Sequence, residues 1–200
     1  MSIIVEHDKR RKEILEKALD VFMDEGFEDA TFQKIAARCG IFRTTLYIYF
    51  RNKKEIFNYS IKQLLAEVEE DILRIRNDKS LDSADKITRV LLNIIDRLEA
   101  NRRLLIVILD YLLHLSRSGS NPEIRVRRRT VRLRHILASI VIEGVKAGEL
   151  LPVNIRAADD LLYGLIESAI FRLVVLKRDS AGDLKKAMEL AVRGWQVKTG

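Results

Sequence analysis

The chain is poor in residues that stop, staple or stiffen a fold: it has one cysteine, two prolines and nine glycines in 200 residues. A lone thiol, Cys39, forms no internal disulfide, so a packed core must hold the fold, and the cysteine usage suits a reducing cytoplasm. So little proline and glycine excludes collagen and arrays of short strands. A hydrophobic fraction of 48% excludes intrinsic disorder. Charge-free apolar runs reach about seven residues, as over 136–142, far short of the ~20 that span a bilayer. Residues 1–12 (MSIIVEHDKRRK) lack the apolar stretch and small-residue cleavage site of a secretory leader. A cytoplasmic, nucleoid-associated location without a membrane segment is expected.

The absences extend to chemistry. Three histidines (7, 114 and 135) and no Glu-x-x-His pair leave no carboxylate-bridged metal site of the kind that makes a helical bundle an enzyme. There is no glycine-rich phosphate loop and no G-x-S-x-G. No metal, cofactor or catalytic residue is expected, and a helical-bundle enzyme is the weakest of three readings.

Basic charge is what the chain has in excess. Thirty-six Lys and Arg against 29 Asp and Glu give +7, and the distribution matters more than the total. Residues 31–54 hold Lys34, Arg38, Arg43, Arg51, Lys53 and Lys54 with no acid. A second cluster, 121–135, holds Arg125, Arg127, Arg128, Arg129, Arg132 and Arg134 against Glu123 alone.

Apolar periodicity is helical nearly throughout, so the fold class is all-α, with about nine helices. Ile14, Leu15, Ala18, Leu19 and Phe22 stripe a first helix over 8–25, and Gly26 is placed as its stop. Thr31 reads as the N-cap of a second helix that closes at Gly40, and a third covers 43–49. Asn52 and Glu55 make a capping pattern for a long helix to about 76. Further helices are expected over 83–98, 102–116, 123–147, 154–177 and 181–196, with the clearest loop at 116–123. The segment 102–116 is apolar nearly all round and is expected to be buried on most sides.

Three short helices joined by a tight glycine turn describe a helix-turn-helix. Leu46 and Phe50 anchor the third helix, and Phe42, Arg43, Thr44, Thr45, Tyr47 and Ile48 project outward. Polar and aromatic side chains on an exposed helix suit base edges, thymine methyls and phosphates. The run ALDVFMDEGFEDATFQKIAARCGIFRTTLYIYFRNKKEIF closely resembles the TetR-type transcriptional regulators, through Phe22, Gly26-Phe27, Thr31, Ile35-Ala36, Gly40, Leu46-Tyr47, Tyr49-Phe50 and Lys53.

That resemblance implies a DNA-binding domain over 1–52, a linking fourth helix over 53–76, and a ligand-binding and dimerisation domain within 53–200. It assigns Thr31 as a phosphate-binding cap, Tyr47 and Tyr49 as phosphate contacts, and Lys53 as a phosphate-gripping lysine. Thr44 and Thr45 fall where small residues admit the helix deep into the major groove. Phe42 departs from the family's usual Ser or Thr cap, and Ile48 from its common histidine. The lost cap should cost about 1 kcal/mol, while Phe42 is suited to a thymine methyl.

In the C-terminal two-thirds, the helix over 154–177 has two apolar faces, one with Leu161, Gly164, Ser168, Phe171 and Val175. The resemblance implies a homodimer through this helix and the last, with Met188 and Trp195 contributing. Two recognition helices then reach half-sites about 34–36 Å apart. It also implies a pocket for a small, hydrophobic effector. Asp110, Tyr111 and His114 on a greasy helix are candidate contacts, with an internal hydrogen bond or domain contact as the alternative. Arg127 and Arg134 are candidates for an acidic head group. The leading expectation is a homodimeric repressor released from a palindromic operator by an inducer. The alternative is an architectural or constitutive DNA-binding protein.

Overall fold

The computed structural model describes residues 2–197, with side chains from residue 6. Among these residues nine α-helices follow in the order α1 (Ser2–Asp29), α2 (Phe32–Arg38), α3 (Arg43–Tyr49), α4 (Lys53–Arg76), α5 (Ser83–Ala100), α6 (Arg102–Arg117), α7 (Pro122–Ala147), α8 (Ile155–Val174) and α9 (Gly182–Arg193). No strand occurs among the described residues; one isolated antiparallel bridge joins Leu150 and Gln196. The fold is all-α.

The helices form two compact units, one holding residues up to Leu64 with Arg103–Pro122, the other Leu65–Arg102 with residues from Glu123 onward. In the first, Ile14, Ala18, Phe22, Ile35, Leu46, Phe50, Ile56 and Phe57 are buried. Gly26 does not end α1. Its φ of 79° and ψ of 164° make a kink, and one more turn follows, with Ala30 N–H donating to the Gly26 carbonyl. The kink turns Phe27 inward, with ring centroids 4.8 Å from Phe57 and 4.7 Å from Tyr111. α6 thus packs on the N-terminal helices, and Arg103 pairs with Asp20 of α1.

Local capping explains the short helices. Thr31 Oγ1 accepts the Lys34 N–H at 3.2 Å, and Gly40 adopts the positive φ of 66° that a sharp turn needs. Asn52 Oδ1 accepts the Glu55 N–H at 2.9 Å, and the Glu55 carboxylate accepts from Arg51 N–H, one residue earlier than a standard capping box. Phe42, the N-cap of α3, makes no side-chain cap.

In the second unit α5 packs on α8 and α9, burying the expected stripe of Ile87, Val90, Leu91, Ile94, Ile95 and Leu98. Each such side chain contributes about 2 kcal/mol as an upper figure. Polar ties orient the helices. Arg97 of α5 binds Asp71 of α4 at 2.6 Å, and Lys185 of α9 binds Asp96 and Glu99 of α5 at 2.6 and 2.9 Å. Glu149 accepts from both the N–H and hydroxyl of Ser83 at the start of α5.

Three further expectations need correction. α6 buries Leu104, Leu105, Val107 and Leu115, yet Leu113 is exposed, so this helix is less enclosed than its composition indicates. α9 ends at Arg193, which leaves Trp195 beyond it, half-buried, its carbonyl accepting the Leu151 N–H at 2.8 Å. Met188 is 0% exposed: its side chain is spent on its own chain's core and has no surface to offer a second copy.

Candidate nucleic-acid interface

The helix-turn-helix presents a surface of short polar, basic and aromatic groups. Thr31 is exposed at the start of α2. Its oxygen accepts from Lys34, which leaves the hydroxyl proton available to a phosphate. On α3, Arg43 Nη2 donates to the Tyr47 hydroxyl at 2.9 Å, and the Tyr47 ring rests 4.8 Å from that of Phe32 on α2. Arg43, Thr44 and Tyr47 are exposed, whereas Thr45 is half-buried. Leu46 and Phe50 are fully buried on the opposite side, which fixes the outward face.

Tyr49 is half-buried and stacks on His7 of α1 with centroids 4.8 Å apart. His7 carried no sequence signal of a role here. Lys53, at the start of α4, donates to the carbonyls of Phe27 at 2.8 Å and Glu28 at 2.5 Å. Its ammonium is therefore already tied to the end of α1, a job that sequence reasoning missed.

The basic excess of this stretch is partly balanced from α1. Lys34 pairs with Glu25 at 2.6 Å and Arg38 with Asp24 at 2.8 Å. A bond to Asp24 holds the Arg38 guanidinium even further above its ordinary pKa. Exposed pairs of this kind are weak, so phosphates can compete for both cations. Cys39, the C-cap of α2, is half-buried, and burial pushes its thiol pKa up.

The structure accounts for the polar residues of α6 without a ligand. Asp110 Oδ2 accepts the Phe27 N–H at 3.3 Å. Tyr111 meets Phe27 and Phe57 edge-on. His114 Nε2 lies 3.4 Å from Glu28 Oε1. All three address the last turn of α1.

In the second unit, Arg134 binds Asp159 and Asp160 at 2.6 and 2.8 Å and lies 4.5 Å over the Tyr163 ring. Hydrogen bonding to Asp159 raises its pKa, and burial raises that of Tyr163. Arg132 pairs with Glu69 at 2.8 Å, and Arg127 is exposed. The structure therefore brings Asp110, Tyr111 and His114 together and keeps Arg134 on internal acids. Among the described residues no cluster of His, Cys, Asp or Glu has a metal-holding arrangement. None of the described helices is long and apolar enough to cross a membrane.

The second face of α8 is open. Leu161, Phe171 and Val175 are exposed, Ser168 is half-buried, and no atom lies within 4 Å of a Cβ built on Gly164. Leu190 of α9, a helix that packs on α8, is 74% exposed. The spacing of Ala187, Leu190 and Gly194, all exposed, was the signal that could have found it.

Known proteins share both the motif and the fold. The signature described as bacterial regulatory proteins, tetR family, matches residues 14–59. A fatty acid metabolism regulator protein of Bacillus subtilis is 26% identical over 191 residues, covering 91% of this chain and 93% of its own length. Among solved structures, a fatty acid degradation regulator of Bacillus halodurans superposes with a TM-score of 0.78 at 20% identity, covering 92% of this chain and 95% of that one. A Bacillus subtilis regulator solved in complex with stearoyl-CoA gives 0.74 at 22% identity, covering 90% and 96%. With the helix-turn-helix, its exposed recognition helix and an all-α body in place, the chain matches the tetR-family signature of bacterial regulatory proteins over residues 14–59 and shares its all-α fold with solved regulators of that kind.

Proposed function

We propose that this regulator acts in the cytoplasm as a homodimeric repressor, released from a palindromic operator by a hydrophobic acyl effector. The observation that carries the reading is the pairing of one exposed recognition helix with one unpartnered apolar face on α8 and α9. A single seven-residue helix reads too little DNA for specific binding, and a second copy supplies the other half-site. Leu161, Gly164, Ser168, Phe171, Val175 and Leu190 form the contact, with half-buried Trp195 at its margin.

The effector class is supported by relatives described as fatty acid regulators and by the fold's occurrence in a stearoyl-CoA complex. The Leu-, Ile- and Val-rich central helices suit an acyl chain. Arg127, exposed on α7, is a better partner for an anionic head group than Arg134, which is held by two aspartates. Asp110, Tyr111 and His114 are assigned to holding α1, from which an effector's differential binding energy would reach the DNA-binding helices.

Selection of bound genomic fragments, followed by titration of the enriched site, tests the proposal. A palindrome released by long-chain acyl-CoA, but not by free coenzyme A, is the expected result. A dimer contacting about eight phosphates gives a slope of log K against log salt of about −7. Binding without a shared palindrome would favour the architectural alternative, and a slope shallower than about −2 would remove the phosphate interface.

A further inference from the structure

The exposed side of α3 is divided lengthwise. Arg43 and Tyr47, four residues apart, form a polar strip joined by their own hydrogen bond. Thr44 and Ile48, also four apart, form the adjacent strip, and Phe42 stands at the N-cap ahead of both. Phe42 is 83% and Ile48 69% exposed. Apart from Tyr47, no other large hydrophobic side chain is exposed in the basic stretch 31–54. Neither belongs to the core, and Phe42 has no capping duty that would explain its place.

The floor of the major groove offers hydrogen-bonding groups at every base pair but one apolar group, the C5-methyl of thymine. A phenyl or sec-butyl group set against N7, O6 or N4 strips water from a polar edge and returns no bond. Set against a methyl, it buries apolar area on both sides. We propose that Phe42 and Ile48 are specificity-determining residues that read thymine through its methyl group, so each operator half-site carries a T·A pair at two positions facing them. The inference rests on the DNA-binding reading above and adds the base that is read.

Deoxyuridine keeps every hydrogen-bonding group of thymidine and lacks only this methyl. In the selected operator, each thymine of the half-site is replaced by deoxyuridine in turn, with its dyad mate, and affinity is measured with the unmodified protein. Two positions per half-site should weaken binding about fourfold for each methyl lost. Phe42→Ala should abolish the effect at one of them and Ile48→Ala at the other. Equal affinity for an operator with all thymines replaced overturns the proposal, as does a uracil penalty that persists undiminished in both variants. An enriched operator indifferent to uracil refutes this inference alone, whereas a chain that retains no DNA at all refutes the DNA-binding reading itself.

Discussion

Arg43 and Tyr47 are joined across one turn of the recognition helix, guanidinium to hydroxyl, at 2.9 Å. The hydroxyl accepts from a cation and so keeps its own proton to donate outward. Tyr47→Phe removes that donor and Arg43's acceptor while preserving the ring that packs on Phe32. Because a phosphate contact carries no base information, the loss should be about 1 kcal/mol on operator and unrelated duplex alike. Titrations on both duplexes check this; an unchanged affinity would remove the tyrosine from the interface.

Gly164 separates folding from assembly. A side chain there meets nothing in its own chain within 4 Å, and leaving glycine behind in a helix interior gains about 0.8 kcal/mol. Gly164→Leu should therefore keep or raise protomer stability while blocking close helix approach between copies. Sedimentation at several concentrations should show a monomer with native helical content. A tight dimer would relocate the interface.

Gly144 is the opposite case. A Cβ at this position would stand 2.5 Å from Ser83 Cβ and 2.7 Å from Leu150 Cδ1. Ser83 cannot retreat without giving up its bonds to Glu149. Gly144→Ala should destabilise the protein by about 2 kcal/mol through overpacking, read as a lower Tm. An unchanged Tm would mean that α5 and α7 are free to part.

Asp71 sets an acid limit on stability. Burial alone would raise its pKa, but hydrogen bonds from Arg97 and Asn93 and the charges of Arg97 and Arg74 reverse this and hold it below the ordinary carboxylate value. The folded state thus binds the proton less readily than the unfolded state. The stabilisation is complete above the unfolded pKa, near 4, and is lost as pH falls through the lower folded value. Asp71→Asn should cost about 2 kcal/mol at neutral pH, and the gap from the parent should narrow as the pH drops below about 4. Denaturant unfolding at pH 7 and pH 3 would detect it, and a gap equal at both would assign the cost to shape instead of charge.

The helices were legible because their signals are local. The α5 stripe and the Thr31 cap lie within a turn or two of what they determine, and each occurs as read. What escaped is set across long sequence separations. Lys53 was assigned only a phosphate, and its carbonyl partners, 25 and 26 residues back, carried no local signal. Arg134 shows no local acid, since its aspartates lie 25 and 26 residues on. Met188 was placed at the interface from the family resemblance, which assigns the last helix to the contact but not which of its faces its own core covers. Gly26 was read as a stop because a positive φ usually ends a helix, whereas here the chain resumes after one offset residue.

The backbone of Phe27 has a consequence for anyone dissecting the molecule. Its N–H is held by Asp110 and its carbonyl by Lys53, and its ring is met by Phe57 and Tyr111. None of those four lies within residues 1–52. A fragment cut at the end of the helix-turn-helix would lose every one of them, and α1 would fray at the turn that leads into Thr31. The compact unit that holds all four is discontinuous in sequence, residues up to Leu64 with Arg103–Pro122, so truncation from the C-terminus cannot isolate it.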